Sequence, residues 1–144
     1  MNRKIIGGLL LLAVLGVGGY FGYNAWQSRL GQQAIAASGL QYLSLDAALA
    51  QSRASGKPVL VDFSAIWCPV CRAMHEAFAD TRVRDVIEHG YVLARVDYDS
   101  DGAPAFMQKY DVTGFPSLLV LNGEGQLLRR VEVSTDPATL AHRL

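Results

Sequence analysis

Val59-Leu60-Val61-Asp62-Phe63 leads through Ser64-Ala65-Ile66 into Trp67-Cys68-Pro69-Val70-Cys71, and these residues decide how the rest of the chain is read. The first five are nearly unbroken in apolar character, as expected of a central strand covered on both faces, with one acid among them. The last four hold the chain's only 2 cysteines, at the expected start of a helix. On a first helical turn two such sulfurs can reach each other. The free N–H groups and the positive dipole end favour the thiolate at the first position. Cys68 and Cys71 can therefore cycle between dithiol and disulfide. A static disulfide is the poorer alternative, because closing so short a loop removes little unfolded-state entropy. A structural zinc site is poorer still. It wants four ligands, and His75, His89 and His142 form no second paired motif. The redox reading calls for no organic cofactor and no metal.

Outward from this stretch the pattern alternates between helix and strand. Ser44 or Asp46 can cap a short helix through Ala47, Ala48, Leu49 and Ala50, which Gly56-Lys57-Pro58 ends. After the cysteines, Val70, Ala73, Met74 and Ala77 repeat at helical spacing and are expected to face the core. That places Cys68, Cys71, Arg72 and His75 on the opposite side, where Arg72 and His75 either steady a thiolate or form solvated surface. Residues 81–88 extend the helical region and 91–97 return as a strand. Asp99 or Asp101 can cap a short helix carrying Ala103, Phe106, Met107 and Tyr110 on one side. Residues 117–121 and 126–133 read as a hairpin around Asn122-Gly123-Glu124-Gly125, and Thr135 or Asp136 with Pro137 opens a last helix. The order β-α-β-α-β-β-α implies a parallel pair joined by a crossover, then an antiparallel hairpin. The result is an α/β fold with a mixed central sheet and helices on both faces. Asp97, Asp99, Asp101 and Gly102 imitate the start of a calcium loop, but position 12 is Gln108 and a strand leads in, so a solvated turn is expected.

The N-terminus has a different character. Asn2-Arg3-Lys4 supplies positive charge, and residues 5–23 follow without an ionised side chain. As a helix this run spans roughly 28 Å, close to the hydrocarbon thickness of a bilayer. Arg3 and Lys4 are expected to stay in the cytoplasm, which puts the rest of the chain outside. A cleaved signal peptide is the rival reading, although Ala34-Ile35-Ala36, the nearest small-x-small site, lies well beyond the run. The expected organisation is an anchor over residues 1–23, a polar, small-residue tether over 24–39 and one compact domain over 40–144. With 13 basic and 13 acidic side chains, nothing implies a polyanion-binding surface, and nucleic acid is not an expected partner.

Three motifs in register, Val61-Asp62-Phe63, Trp67-Cys68-Pro69-Val70-Cys71 and Tyr110-Asp111-Val112-Thr113-Gly114-Phe115-Pro116-Ser117, make the chain from Leu40 onward resemble the thioredoxin-fold family. With the N-terminal anchor, it is most similar to periplasmic thioredoxin-like proteins, including the C-terminal domain of DsbD-type thiol:disulfide reductases. The resemblance implies a thiol:disulfide oxidoreductase on the periplasmic side of a bacterial inner membrane, held by a single span. Cys68 would attack and Cys71 would resolve, with Asp62 as a buried carboxylate whose pKa desolvation raises toward the useful range. Pro116 would be a cis-proline facing the sulfurs, presenting the Phe115 backbone to an extended peptide, while Trp67 shields the sulfurs or packs. Expected partners are proteins carrying disulfides or thiols and a membrane reductase that supplies electrons. Pro69-Val70 departs from the Gly-Pro of cytosolic thioredoxin and leaves the direction of electron flow open. An oxidase or isomerase stays as an alternative, as does a non-enzymatic assembly factor or metallochaperone using the cysteines as ligands.

Overall fold

A computed structural model describes residues 3–144. Asn2 lies outside the described residues, as do the side chains of Arg3 and Lys4, on which the expected orientation rests. The elements run α1 (Arg3–Ser38), α2 (Leu45–Ser55), β1 (Val59–Ser64), α3 (Pro69–Phe78), α4 (Thr81–Gly90), β2 (Val92–Asp97), α5 (Ala103–Tyr110), β3 (Ser117–Leu121), β4 (Leu127–Val131) and α6 (Pro137–Arg143). The 4-stranded sheet has the order β2-β1-β3-β4. β1 pairs parallel with β2 and antiparallel with β3, and β3 pairs antiparallel with β4. This is a thioredoxin fold, with the mixed sheet expected from the alternation of elements.

Strand alternation sorts the core into two layers. Val59, Val61 and Phe63 of β1 face α2 and α5, where Ala48, Phe106 and Tyr110 meet Ala94, Leu119 and Leu121. Leu60 faces the other way, toward Met74 and Phe78 of α3, Val83 and Ile87 of α4 and Leu140 of α6. Asp62 shares the parity of Leu60 and so projects toward α3. Every residue of β1 is buried, which fits its unbroken apolar reading.

Local chemistry sets the helix ends. Ser44 caps α2 by accepting from the Ala47 N–H, and Gly56 ends it in a left-handed conformation (φ 75°), donating its N–H to the Ser52 carbonyl. Asp136 caps α6 through the Thr139 N–H, with Pro137 in the first turn. The helical region after the cysteines is two helices, because the Asp80 carboxylate accepts from the Arg82 N–H and starts α4 afresh. Neither Asp99 nor Asp101 caps α5. Gly102 occupies that position without a side-chain bond.

The segment expected to be a tether, residues 24–39, differs most from expectation. α1 continues through it as helix to Ser38 and packs on α3, burying Gln27, Ala34 and Ser38. Small residues permit this contact. A Cβ on Gly31 would stand 2.0 Å from the Ile66 carbonyl oxygen, so only glycine lets the helix approach the loop before Cys68.

Candidate active site

Cys68 occupies the N-cap of α3 in extended backbone, and its Sγ accepts the Cys71 N–H at 3.2 Å. Pro69 follows in the first turn, where a missing N–H costs nothing. Both cysteines are free thiols. Cys68 keeps 7% exposure, whereas Cys71, one turn deeper, is fully buried. Burial first, and then its hydrogen bond with Cys68, pushes the Cys71 thiol well above the ordinary thiol range. The two sulfurs are thus unequal: one is near the surface at a helix start, the other is a protonated thiol inside.

Around them stands an apolar wall. Trp67 and Phe115 pack on Ala65, Cys68 and Cys71, with the Trp67 and Phe115 rings edge-to-face at 5.5 Å. The Phe115-Pro116 peptide bond is cis. Tyr98 lies 4.6 Å from the Phe115 ring. The Trp67 Nε1–H donates to Asp99 Oδ2 at 2.7 Å, which holds the indole in place from the loop after β2. Val70, expected in the core, is 55% exposed. The buried stripe of α3 is instead Cys71, Met74, His75 and Phe78, with Ala77 beside it.

That rotation carries His75 inside, against the expectation that it would lie on the side of the helix opposite the core. His75 Nε2 and Asp62 Oδ2 share a hydrogen at 2.7 Å, with the two side chains 1% and 0% exposed. Arg95, register partner of Asp62 on β2, brings its Nε to 3.8 Å from the same oxygen while its Nη2–H donates to Asp97 Oδ2 at 2.6 Å. The Tyr42 ring stands edge-on to His75, and burial, then the Asp62 charge, raises its hydroxyl pKa. Among the described residues, Asp62 Oδ1 and His75 Nδ1 have no hydrogen-bond partner. Arg95, Tyr42 and Asp99 are site residues that sequence reasoning did not assign, and His75, read there as steadying a thiolate or forming solvated surface, is instead the partner of Asp62. The shared helix face of Cys71 and His75, four residues apart, was legible, but not that this face turns inward toward Asp62.

Arg72 turns away from the sulfurs. Its Nη1–H donates to Gln27 Oε1 of α1 at 2.9 Å, and its Nε lies 3.5 Å from Glu76. The aspartates of the calcium-like loop serve other partners, with Asp97 on Arg95 and Asp99 on Trp67. Among the described residues, no three His, Cys, Asp or Glu side chains are grouped to hold a metal ion.

A mixed sheet in this order, with a Cys-x-x-Cys pair at the start of the helix after β1 and a cis-proline loop packed against it, defines the class of thioredoxin-fold dithiol proteins. Residues 45–144 match the family model of the thioredoxin-like domain, and the chain belongs to that family. It is 35% identical to the thiol:disulfide interchange protein DsbD of Salmonella typhi over 104 residues, covering 69% of this chain and 18% of that protein. The chain thus spans under a fifth of that relative's length. A thioredoxin from Thermus thermophilus superposes with a TM-score of 0.61 at 27% identity, over 69% of this chain and 79% of that one. The DsbD C-terminal domain of Neisseria meningitidis, in its oxidised form, shares the fold with a TM-score of 0.54 at 21% identity, over 71% of this chain and 95% of that one.

Proposed function

We propose that the chain is a membrane-anchored thiol:disulfide oxidoreductase that reduces protein disulfides on the periplasmic side of a bacterial inner membrane. The observation that carries the reading is the inequality of the sulfurs, with Cys68 at the helix cap and Cys71 buried behind it. The Cys68 thiolate attacks one sulfur of a substrate disulfide, whose other sulfur leaves as a thiolate and takes up a proton. Cys71 then gives its proton to Asp62, and its thiolate attacks Cys68 Sγ. The mixed disulfide breaks, the second substrate thiol leaves, and two electrons have passed from the Cys68–Cys71 dithiol to the substrate. A dithiol donor in the membrane restores the reduced state. Trp67, Phe115, Pro116 and Val70 form the apolar surface against which an extended substrate segment lies.

The reducing direction is supported by what does not stabilise the Cys68 thiolate. Arg72 is turned to Gln27 and Glu76, and His75 is held by Asp62. A thiolate without a paired cation favours a more reducing couple. The membrane reading is supported by the apolar helix over Gly7–Ser38, with Leu12, Val14 and Leu15 exposed along it.

Insulin reduction by the purified full chain tests the function. Turnover is expected for the wild type and none for Cys68→Ser, while Cys71→Ser accumulates mixed disulfides. A potential near about −120 mV without insulin turnover would overturn the reducing direction. Stoichiometric bound copper or zinc, with full function after Cys71→Ser, would instead support a metal-carrying role.

A further inference from the structure

α1 changes surroundings along its length: no described side chain before Gln27 is buried, whereas from Gln27 onward one face of the helix lies against the domain. Tyr20, Phe21, Tyr23 and Trp26 are exposed, the last at 54%, whereas Gln27 beside it is 6% exposed and lies against the domain. Aromatic side chains bunched at the end of an apolar run mark the headgroup level of a bilayer. From there a chain of bonds leads to the catalytic helix: Gln27 Nε2–H donates to Tyr23 Oη, and Arg72 Nη1–H donates to Gln27 Oε1. One turn further, Gly31 lies against the carbonyl of Ile66, two residues before Cys68.

We propose that α1 is a post that holds Cys68 at a fixed height above the membrane, so that its redox partner is a membrane protein presenting its disulfide or dithiol near the headgroup layer. The inference rests on the anchor reading above. From Trp26 to Gly31 the helix rises about 8 Å. Ile66 to Cys68 adds at most about 7 Å of extended chain. Cys68 therefore stands within about 15 Å of the aromatic level, and an average helix tilt of about 20°, acting on a sideways offset of about 10 Å, changes this by about 3 Å. A flexible linker would let the site sweep a wide volume, whereas a helix docked at both Gln27 and Gly31 confines it to one layer.

The test uses the full chain, reduced, in vesicles of phosphatidylcholine and phosphatidylglycerol. The vesicles carry a lipid whose headgroup bears a disulfide on spacers reaching roughly 5, 15 or 40 Å. Exchange oxidises Cys68 and Cys71 to their disulfide and reduces the lipid disulfide to thiols, and insulin added outside reports exchange independent of height. The wild type is expected to react at least about tenfold faster with the middle spacer than with the shortest. Seven helix-forming residues inserted between Trp26 and Gln27 raise the domain by roughly 10 Å while restoring its facing to within about 20°. That variant is expected to lose the middle spacer and keep the longest. Seven Gly-Ser residues at the same point should make all three spacers react alike. Equal rates for wild type and both insertions would overturn the post. Should an insertion abolish insulin turnover, the wild-type spacer profile decides alone, and a rate independent of spacer length overturns the proposal. Protein that alkaline carbonate strips from the vesicles would overturn the anchor reading itself, a result separate from a flat spacer profile on protein that stays bound.

Discussion

Replacing His75 with leucine should destabilise the domain by about 3 kcal/mol, the cost of leaving a buried carboxyl without its hydrogen-bond partner. His75 and Asp62 meet at 2.7 Å inside the protein, and leucine fills the ring's place without offering a hydrogen. The Asp62 carboxyl would then keep only Arg95, whose Nε is 3.8 Å away and whose Nη2 is committed to Asp97 at 2.6 Å. Compensation is therefore partial. For a domain of this size, with a urea slope of about 1.5 kcal/mol/M, the loss corresponds to a midpoint lower by about 2 M. His75→Gln, which can still place a donor near Asp62 Oδ2, should lose less than half as much. The paired change Asp62→Leu/His75→Leu removes both polar groups and should recover most of the stability, giving a coupling energy of about 2 kcal/mol. Urea titration followed by near-ultraviolet circular dichroism in detergent measures all four proteins. A His75→Leu loss under about 1 kcal/mol, or a strictly additive double variant, would refute the idea that His75 compensates a buried carboxyl.

Burial holds the Cys71 thiol pKa above its unfolded value, so the folded reduced protein binds that proton more tightly. The resulting stability is complete below about pH 8.5 and drains away as pH rises toward the folded value. Denaturant titrations of the reduced protein at stepwise pH should show this alkaline loss, and Cys71→Ala should abolish it. Asp62→Asn should leave the first attack by Cys68 unchanged and slow resolution by about 10²-fold, so that quenched samples analysed by mass spectrometry accumulate mixed disulfide. Gly56 ends α2 at φ 75° with open space around its missing side chain, so Gly56→Ala should cost about 1 kcal/mol through backbone strain alone, read from thermal unfolding.

Elements whose signal is local were legible in the sequence. β1 declared itself because five consecutive positions are nearly all apolar, and α6 did so because Asp136-Pro137 is a cap and first turn in adjacent residues. α3 shows where local reasoning fails. The stripe Val70, Ala73, Met74, Ala77 and the stripe Cys71, Met74, His75, Phe78 have the same helical period and share Met74. Hydropathy prefers the first because it contains no histidine. The fold selects the second because Asp62, thirteen residues earlier on a neighbouring strand, gives that histidine a partner. Asp99 was misread as a helix cap for a similar reason, since its partner Trp67 is thirty-two residues away. The helical docking of residues 24–38 depends on what is absent at Gly31, a close approach that composition reads as flexibility.

Cysteine roles, carboxylate and histidine follow from one another once β1 is placed. Alternation along β1 sends Leu60 and Asp62 to the α3 side, so the strand that forms the core also carries an acid beneath the helix bearing both sulfurs. The helix start uses its N–H on Cys68 and leaves Cys71 one turn deeper, where burial keeps the thiol protonated. A protonated resolving thiol cannot attack, so the resolving step requires an acceptor that is itself inside. In the proposed mechanism Asp62 is that acceptor, with His75 bound to Oδ2 while Oδ1 remains unpartnered among the described residues. Under that proposal His75 is a positioning residue: by engaging Oδ2 it leaves Oδ1 as the oxygen open to the proton from Cys71.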